Sequence, residues 1–174
     1  MADFQGEVLI LAGCSGAGKS SFVARRLEEH AKEFEGNPFR FASVVSADHF
    51  FTDQDGKYTF VPEKIGEAHK QCLRKFLSVI ASDHNQLLIV DNTNTTMLEM
   101  APYVSVAGAY DRRVKIVILS AEDGQIPMLA KRNLHGVPEK SIRRMNDNLK
   151  RFHPPPFWST ERGVDIIRLP IVEG

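Results

Sequence analysis

Cysteine is scarce: Cys14 and Cys72 are the only two in 174 residues, too few for a disulfide framework. A chain of this length buries about 70% of its unfolded surface and needs no such staples. A reducing compartment is therefore expected, cytoplasmic or nuclear, and secretion is not. Long apolar runs are also missing. The longest, Val8–Ala12, is five residues, where a membrane span needs ~18, and no basic leader precedes it, so neither a span nor a secretory signal is expected. Net charge is absent too, with 22 basic against 22 acidic side chains, which argues against a globally basic nucleic-acid binder. No internal repeat, low-complexity tract or long linker divides the chain. One domain over residues 1–174 is expected, with the ordinary folded-protein composition of 43% apolar and 25% charged residues.

The charge balance hides an asymmetry. Residues 1–111 carry ten basic and fifteen acidic side chains, whereas residues 112–151 carry ten basic and four acidic. Lys131, Arg132, Lys140, Arg143, Arg144, Lys150 and Arg151 make a local cationic region that could attract polyanions. For any one of them a solvated helix face is the simpler reading.

Apolar runs that suit buried parallel strands fall at Val8–Ala12, Phe41–Ser46, Leu87–Val90, Val114–Leu119 and Val164–Leu169. Helical spacing fills the intervals: Lys19–Phe34, Pro62–Ser82, Thr96–Ala109 with a kink or restart at Pro102, Ala121–Leu134 and Pro138–Phe152. Thr52–Pro62 reads as a loop with an Asp55-Gly56 turn, and Pro154–Pro156 redirects the chain. This alternation predicts an α/β three-layer sandwich: about five parallel strands with helices on both faces.

The segment Gly13-Cys14-Ser15-Gly16-Ala17-Gly18-Lys19-Ser20 matches the phosphate-loop pattern G-x-x-x-x-G-K-S/T, between a predicted strand and a predicted helix. Glycines let successive N–H groups turn toward one anion, and the following helix adds its N-terminal dipole. Lys19 reaches β- and γ-phosphates and the Ser20 hydroxyl ligates Mg²⁺, with Ser21 next in line. ATP, or another nucleoside triphosphate, and Mg²⁺ are the expected cofactors. Cys14 reads as a small loop residue, although its oxidation could block the loop.

Three further segments fall at the carboxyl ends of predicted strands, where open parallel sheets bind ligands. Asp91 follows Leu87–Val90 and suits a Mg²⁺ ligand; a helix cap is the alternative. Asn92 and Asn94 bring amides to the same edge as candidate substrate contacts. Asp48, in Ser46-Ala47-Asp48-His49-Phe50-Phe51, suits a general base toward an acceptor hydroxyl, with His49 beside it; taken alone, such an aspartate is more often a turn. The basic stretch Lys131–Pro138 suits a lid over roughly 124–145, pivoting at Gly136. In it Arg132 could offset charge on the transferred phosphoryl group, and His135 could contact phosphate or cap the helix. Phe157 and Trp158 could stack on bases, though packing is the simpler role.

Together these segments resemble the family of polynucleotide 5′-hydroxyl kinases. Ser46–Phe51, Asp55–Phe60, Glu67-Ala68-His69, Val90–Thr95, Glu99–Tyr103 and Arg132–Val137 resemble more specifically the small kinase-like domain of ubiquitin-ligase-binding proteins. The likeness runs from about Leu9 to Met145. It implies a P-loop kinase with a helical lid, Asp48 as general base, Asp91 on the Mg²⁺ and acceptor side, and Arg132 as the lid arginine. The chain departs from the phage pattern in two places: Phe51 stands where an arginine grips a substrate phosphate, and His135 where the lid has a second arginine.

The expected function is γ-phosphoryl transfer from ATP to a hydroxyl, the 5′-hydroxyl of DNA or RNA before others. A small hydroxylated acceptor such as a nucleoside, sugar or sugar nucleotide is the first alternative. A nucleotide-binding interaction module with little turnover is the second. No membrane partner is expected, and the sequence names no protein partner.

Overall fold

A computed structural model describes residues 6–33, 42–82 and 87–171. Five parallel strands form one sheet: β1 (Glu7–Gly13), β2 (Ala42–Val45), β3 (Leu87–Asp91), β4 (Arg113–Ser120) and β5 (Val164–Pro170), in the order β2-β3-β1-β4-β5. The helices are α1 (Lys19–Glu33), α2 (Ile65–Ile80), α3 (Met97–Ala109), α4 (Ile126–Arg132) and α5 (Glu139–Arg151). Every strand pairing is parallel, as helical crossovers require.

β1 is central and apolar on both faces, and its side chains alternate between two cores. Val8, Ile10 and Ala12 pack with Ala68, Cys72 and Phe76 of α2 and Met100 and Tyr103 of α3. Leu9 and Leu11 pack with Val23 of α1, Ile126 and Leu129 of α4 and Ile142 of α5. This two-sided burial is why the strand reads as a continuous apolar run. The register pairs Leu11 with Asp91 and Gly13 with Leu119, which fixes the loops after β1 and β3 along one edge of the sheet.

The structure shifts some expected boundaries. Phe34 and Phe41, expected to end the first helix and begin the second strand, lie outside the described residues. The helix expected over Ala121–Leu134 begins only at Ile126, after a 3₁₀ turn at Asp123–Gln125. Pro127 sets that start, because its ring fits only the first turn of a helix. A 3₁₀ turn at Pro62–Lys64 likewise precedes α2. α3 opens with a capping box, Thr96 N–H donating to Glu99 Oε2 at 2.8 Å. It then runs through Pro102 as one helix, so of the kink or restart expected there the restart does not occur. Pro102 can donate nothing to the carbonyl four residues back, and that carbonyl belongs to Leu98, which is 81% exposed.

Asn146 of α5 is fully buried. It receives the Ala121 N–H at 2.8 Å and donates to the Ala121 carbonyl at 2.9 Å, clamping α5 to the end of β4. Arg168 of β5 donates to the Leu149 and Phe152 carbonyls and so satisfies the C-terminal end of the same helix. Trp158 is buried and packs near Phe152 with ring centroids 6.3 Å apart, whereas Phe157 remains exposed.

Candidate active site

The loop from β1 to α1 turns through left-handed backbone at Gly16 (φ 80°) and Gly18 (φ 88°). A Cβ at Gly16 would lie 2.3 Å from the Leu129 carbonyl oxygen, so the loop lies directly against α4. A Cβ at Gly18 would meet nothing within 4 Å, so that side of the loop is open. Gly13 N–H donates to the Thr93 carbonyl at 2.8 Å, which ties the loop to the segment after β3.

Lys19, at the start of α1, folds back and donates to the Gly13 and Cys14 carbonyls at 3.0 and 3.2 Å. Burial pulls its pKa below the ordinary lysine value, while Asp91, the Cys14 thiol and Asp48 pull it back up. Burial likewise raises Asp91 above the usual carboxylate range; Lys19 and His49 counter this, and Asp48 adds to it. Lys19, Asp91, Asp48 and His49 thus feel one another at one edge of the sheet. Cys14 is buried and its thiol is pushed up, which keeps it protonated and weakly nucleophilic.

Asp48 sits in a 3₁₀ turn, Ala47–Phe51, that follows β2. Ser46 caps the turn by receiving the Asp48 N–H at 3.2 Å. From beneath, Asn92 receives the Ala47 N–H at 2.8 Å, and its amide donates to Cys72 Sγ at 3.4 Å. Asn94, at φ 43°, donates to the Leu11 carbonyl at 2.7 Å. Both asparagines are buried and hold the loops that carry Asp48 and Asp91. Phe51 is buried in an edge-on cluster with Phe50, Tyr58 and Phe60.

Two side chains flank the exposed Asp48 carboxylate. Tyr58 donates its hydroxyl to Oδ1 at 3.2 Å, and His135 Nε2 lies 3.8 Å from Oδ2. Their rings are in contact at a 50° tilt, with centroids 4.4 Å apart. His135 belongs to the tip after α4, where Asn133 receives the His135 N–H and donates to the Val137 carbonyl around Gly136 (φ 65°). Arg132 is the last residue of α4 and half-buried. In the cationic region, Arg143 pairs with Glu139 and Lys150 with Asp123, both across exposed surface.

The structure therefore brings Lys19, Asp91, Asp48, His49 and His135 together. The sequence reading includes Tyr58 in the Asp55–Phe60 segment of the resemblance but gives it no role at Asp48. Its only local signal is its place at the end of the Asp55-Gly56 turn, where an antiparallel bridge pairs it with Thr52.

The loop geometry suits a nucleotide's phosphates: two left-handed glycines, an open side at Gly18 and a lysine at the helix start. Ser20 and Asp91 offer the hard oxygen donors that Mg²⁺ takes alongside phosphate oxygens. Among the described residues, no cluster of three or more His, Cys, Asp or Glu side chains could hold a metal, and no helix is long and apolar enough to cross a membrane.

Comparison with known proteins agrees with this picture. The model of an AAA domain family matches residues 8–152. NEDD4-binding protein 2 of Homo sapiens is 32% identical over 160 residues, which is 86% of this chain but 8% of that protein. The chain thus spans only a small part of that relative. Among solved structures, the Pnkp1/Rnl/Hen1 RNA repair complex superposes with a TM-score of 0.59 at 19% identity, covering 83% of this chain and 44% of that one. Mycobacterium tuberculosis APS kinase CysC, solved with AMPPNP and APS, gives 0.57 at 18% identity, covering 98% and 91%. Both likenesses are of fold.

Proposed function

This chain belongs to the AAA domain family and has a P-loop kinase fold, and from that premise we propose that it transfers the γ-phosphate of ATP to the 5′-hydroxyl of DNA or RNA. The observation that carries the reading is Asp48. Its exposed carboxylate stands on the sheet edge within electrostatic reach of Lys19 and Asp91. A phosphoryl acceptor that is a hydroxyl needs such a carboxylate; an acceptor that is already a phosphate does not.

In this reading Gly13–Ser20 and Ser21 form the loop that cradles the phosphates. Lys19 places its charge on the β- and γ-phosphates. Ser20 and Asp91 would hold Mg²⁺, which when bound would neutralise phosphate charge. Arg132, at the end of α4, offsets charge on the group in transfer. Asp48 receives the acceptor proton, and His49 stands beside it toward the acceptor. The resemblance of the Asp48, Asp91 and Arg132 segments, in that order, to polynucleotide kinases supports a nucleic-acid acceptor. So does the cationic character of α4 and α5.

One observation favours a smaller hydroxylated acceptor. Phe51, where the phage pattern has a phosphate-gripping arginine, is locked in an apolar cluster and can grip no phosphate. Labelled ATP incubated with a 5′-hydroxyl DNA oligomer, the matching RNA, nucleosides and sugars separates the two. Transfer to an oligomer, with affinity falling steeply as salt rises, supports the polynucleotide reading. Transfer only to a small molecule supports the second. ATP binding without transfer to any acceptor would contradict both.

A further inference from the structure

We propose that Tyr58 is a positioning residue for the base: it occupies Oδ1 of Asp48, so that Oδ2 is the oxygen that takes the acceptor proton. The inference rests on the reading of Asp48 given above and deepens it. An ionised carboxylate has two oxygens that can serve as base, and a freely rotating one presents either in many directions. Here one is engaged. Tyr58 donates to Oδ1 at 3.2 Å, and Oδ2 has His135 Nε2 beyond hydrogen-bond range at 3.8 Å.

Tyr58 is built to stay in place. Its backbone pairs with Thr52, and Thr59 N–H donates to the Phe51 carbonyl at 2.8 Å, so both sides of the turn are anchored next to the Asp48 segment. Asp53 receives the Asp55 and Lys57 N–H groups and stiffens the turn between. The Tyr58 ring lies edge-on to Phe51 at 6.1 Å and tilted against His135 at 4.4 Å. Thr52 adds a bond from its hydroxyl to the Asp48 carbonyl at 3.1 Å. The turn therefore grips both the backbone and the carboxylate of one residue.

In the transfer step the acceptor O–H proton passes to Oδ2 while the acceptor oxygen bonds to the γ-phosphorus. The bond from that phosphorus to the bridging oxygen breaks, and ADP leaves with the electron pair. Tyr58 keeps its own proton throughout; it acts through Asp48 and not on the substrate. The His135 ring, on the lid tip, packs against the phenol at a 50° tilt and so links lid position to the aim of the base.

Tyr58→Phe removes the hydroxyl and keeps the ring packing, so it isolates this role. Wild type, Tyr58→Phe and Asp48→Asn are compared in steady-state transfer to whichever hydroxyl acceptor wild type uses. The expected result is a fall in kcat of about 10- to 100-fold for Tyr58→Phe. KM for ATP and for the acceptor should stay within about twofold, because binding groups are untouched. Unchanged kcat, or a loss confined to the acceptor KM, would overturn the inference while Asp48→Asn still loses transfer and upholds the base. Absence of transfer by wild type to every acceptor would instead overturn the reading of the site, and this inference with it.

Discussion

Replacing Gly16 with alanine places a methyl carbon 2.3 Å from the Leu129 carbonyl oxygen, 3.1 Å from its carbonyl carbon and 3.2 Å from its Cα. All three atoms are backbone, so no side chain can swing aside. The residue also sits at φ 80°, where a Cβ strains the backbone by about 1–2 kcal/mol. Overpacking against a fixed wall adds about 1–3 kcal/mol, for a loss of about 2–5 kcal/mol together. Gly18→Ala provides the internal control: its φ of 88° carries the same backbone strain, but nothing lies within 4 Å of the added methyl. In a chain of this size, Tm falls by about 2–4 °C per kcal/mol. Thermal unfolding should therefore place Gly16→Ala about 2–12 °C below Gly18→Ala. Equal Tm values for the two variants would refute the claim that the phosphate loop is wedged against α4.

Other perturbations probe separate parts of the account. Asn146→Ala strands the buried N–H and carbonyl of Ala121, and urea unfolding should show a loss of about 2–4 kcal/mol; a loss under about 0.5 kcal/mol would count against the clamp. Wild type should gain about 2.7 kcal/mol from ATP at a hundred times its Kd, read as a rise in Tm, and Lys19→Ala should fold yet lose that gain. The Tyr58 phenol, pushed up to about 12 by burial and by Asp48, should titrate in ¹³C NMR well above an ordinary tyrosine and move down in Asp48→Asn. Because the folded value is raised, the stability this group contributes is complete below about pH 10 and fades as pH climbs toward 12; a Tyr58 titration unmoved by Asp48→Asn would contradict the hydrogen bond.

The parts of the fold that were legible were those with a local physical signal. Two-sided burial forces continuous apolar strands such as Leu87–Val90, and a phosphate cradle forces glycines and a lysine at fixed spacing in Gly13–Ser20. Asp48 and Asp91 were legible because a parallel sheet sends every strand's carboxyl end to one edge. What stayed hidden depends on contacts between distant segments. Nothing near residue 16 announces Leu129, and nothing near residue 58 announces His135. Asn92 and Asn94 read as candidate substrate contacts because they follow a strand at the ligand edge; only the folded chain shows them spent on the Ala47 N–H and the Leu11 carbonyl. The start of α4 was misplaced because Glu122, Asp123 and Gln125 suit a helix as well as the 3₁₀ turn they form.

The central claim is that Asp48 acts as general base in phosphoryl transfer to a hydroxyl. Single-turnover transfer from γ-labelled ATP to a 5′-hydroxyl oligomer, run for wild type and Asp48→Asn with ATP affinity measured on both, tests it directly. The account predicts that Asp48→Asn binds ATP as wild type does and transfers at least about 100-fold more slowly. Equal transfer rates at equal ATP occupancy would contradict it.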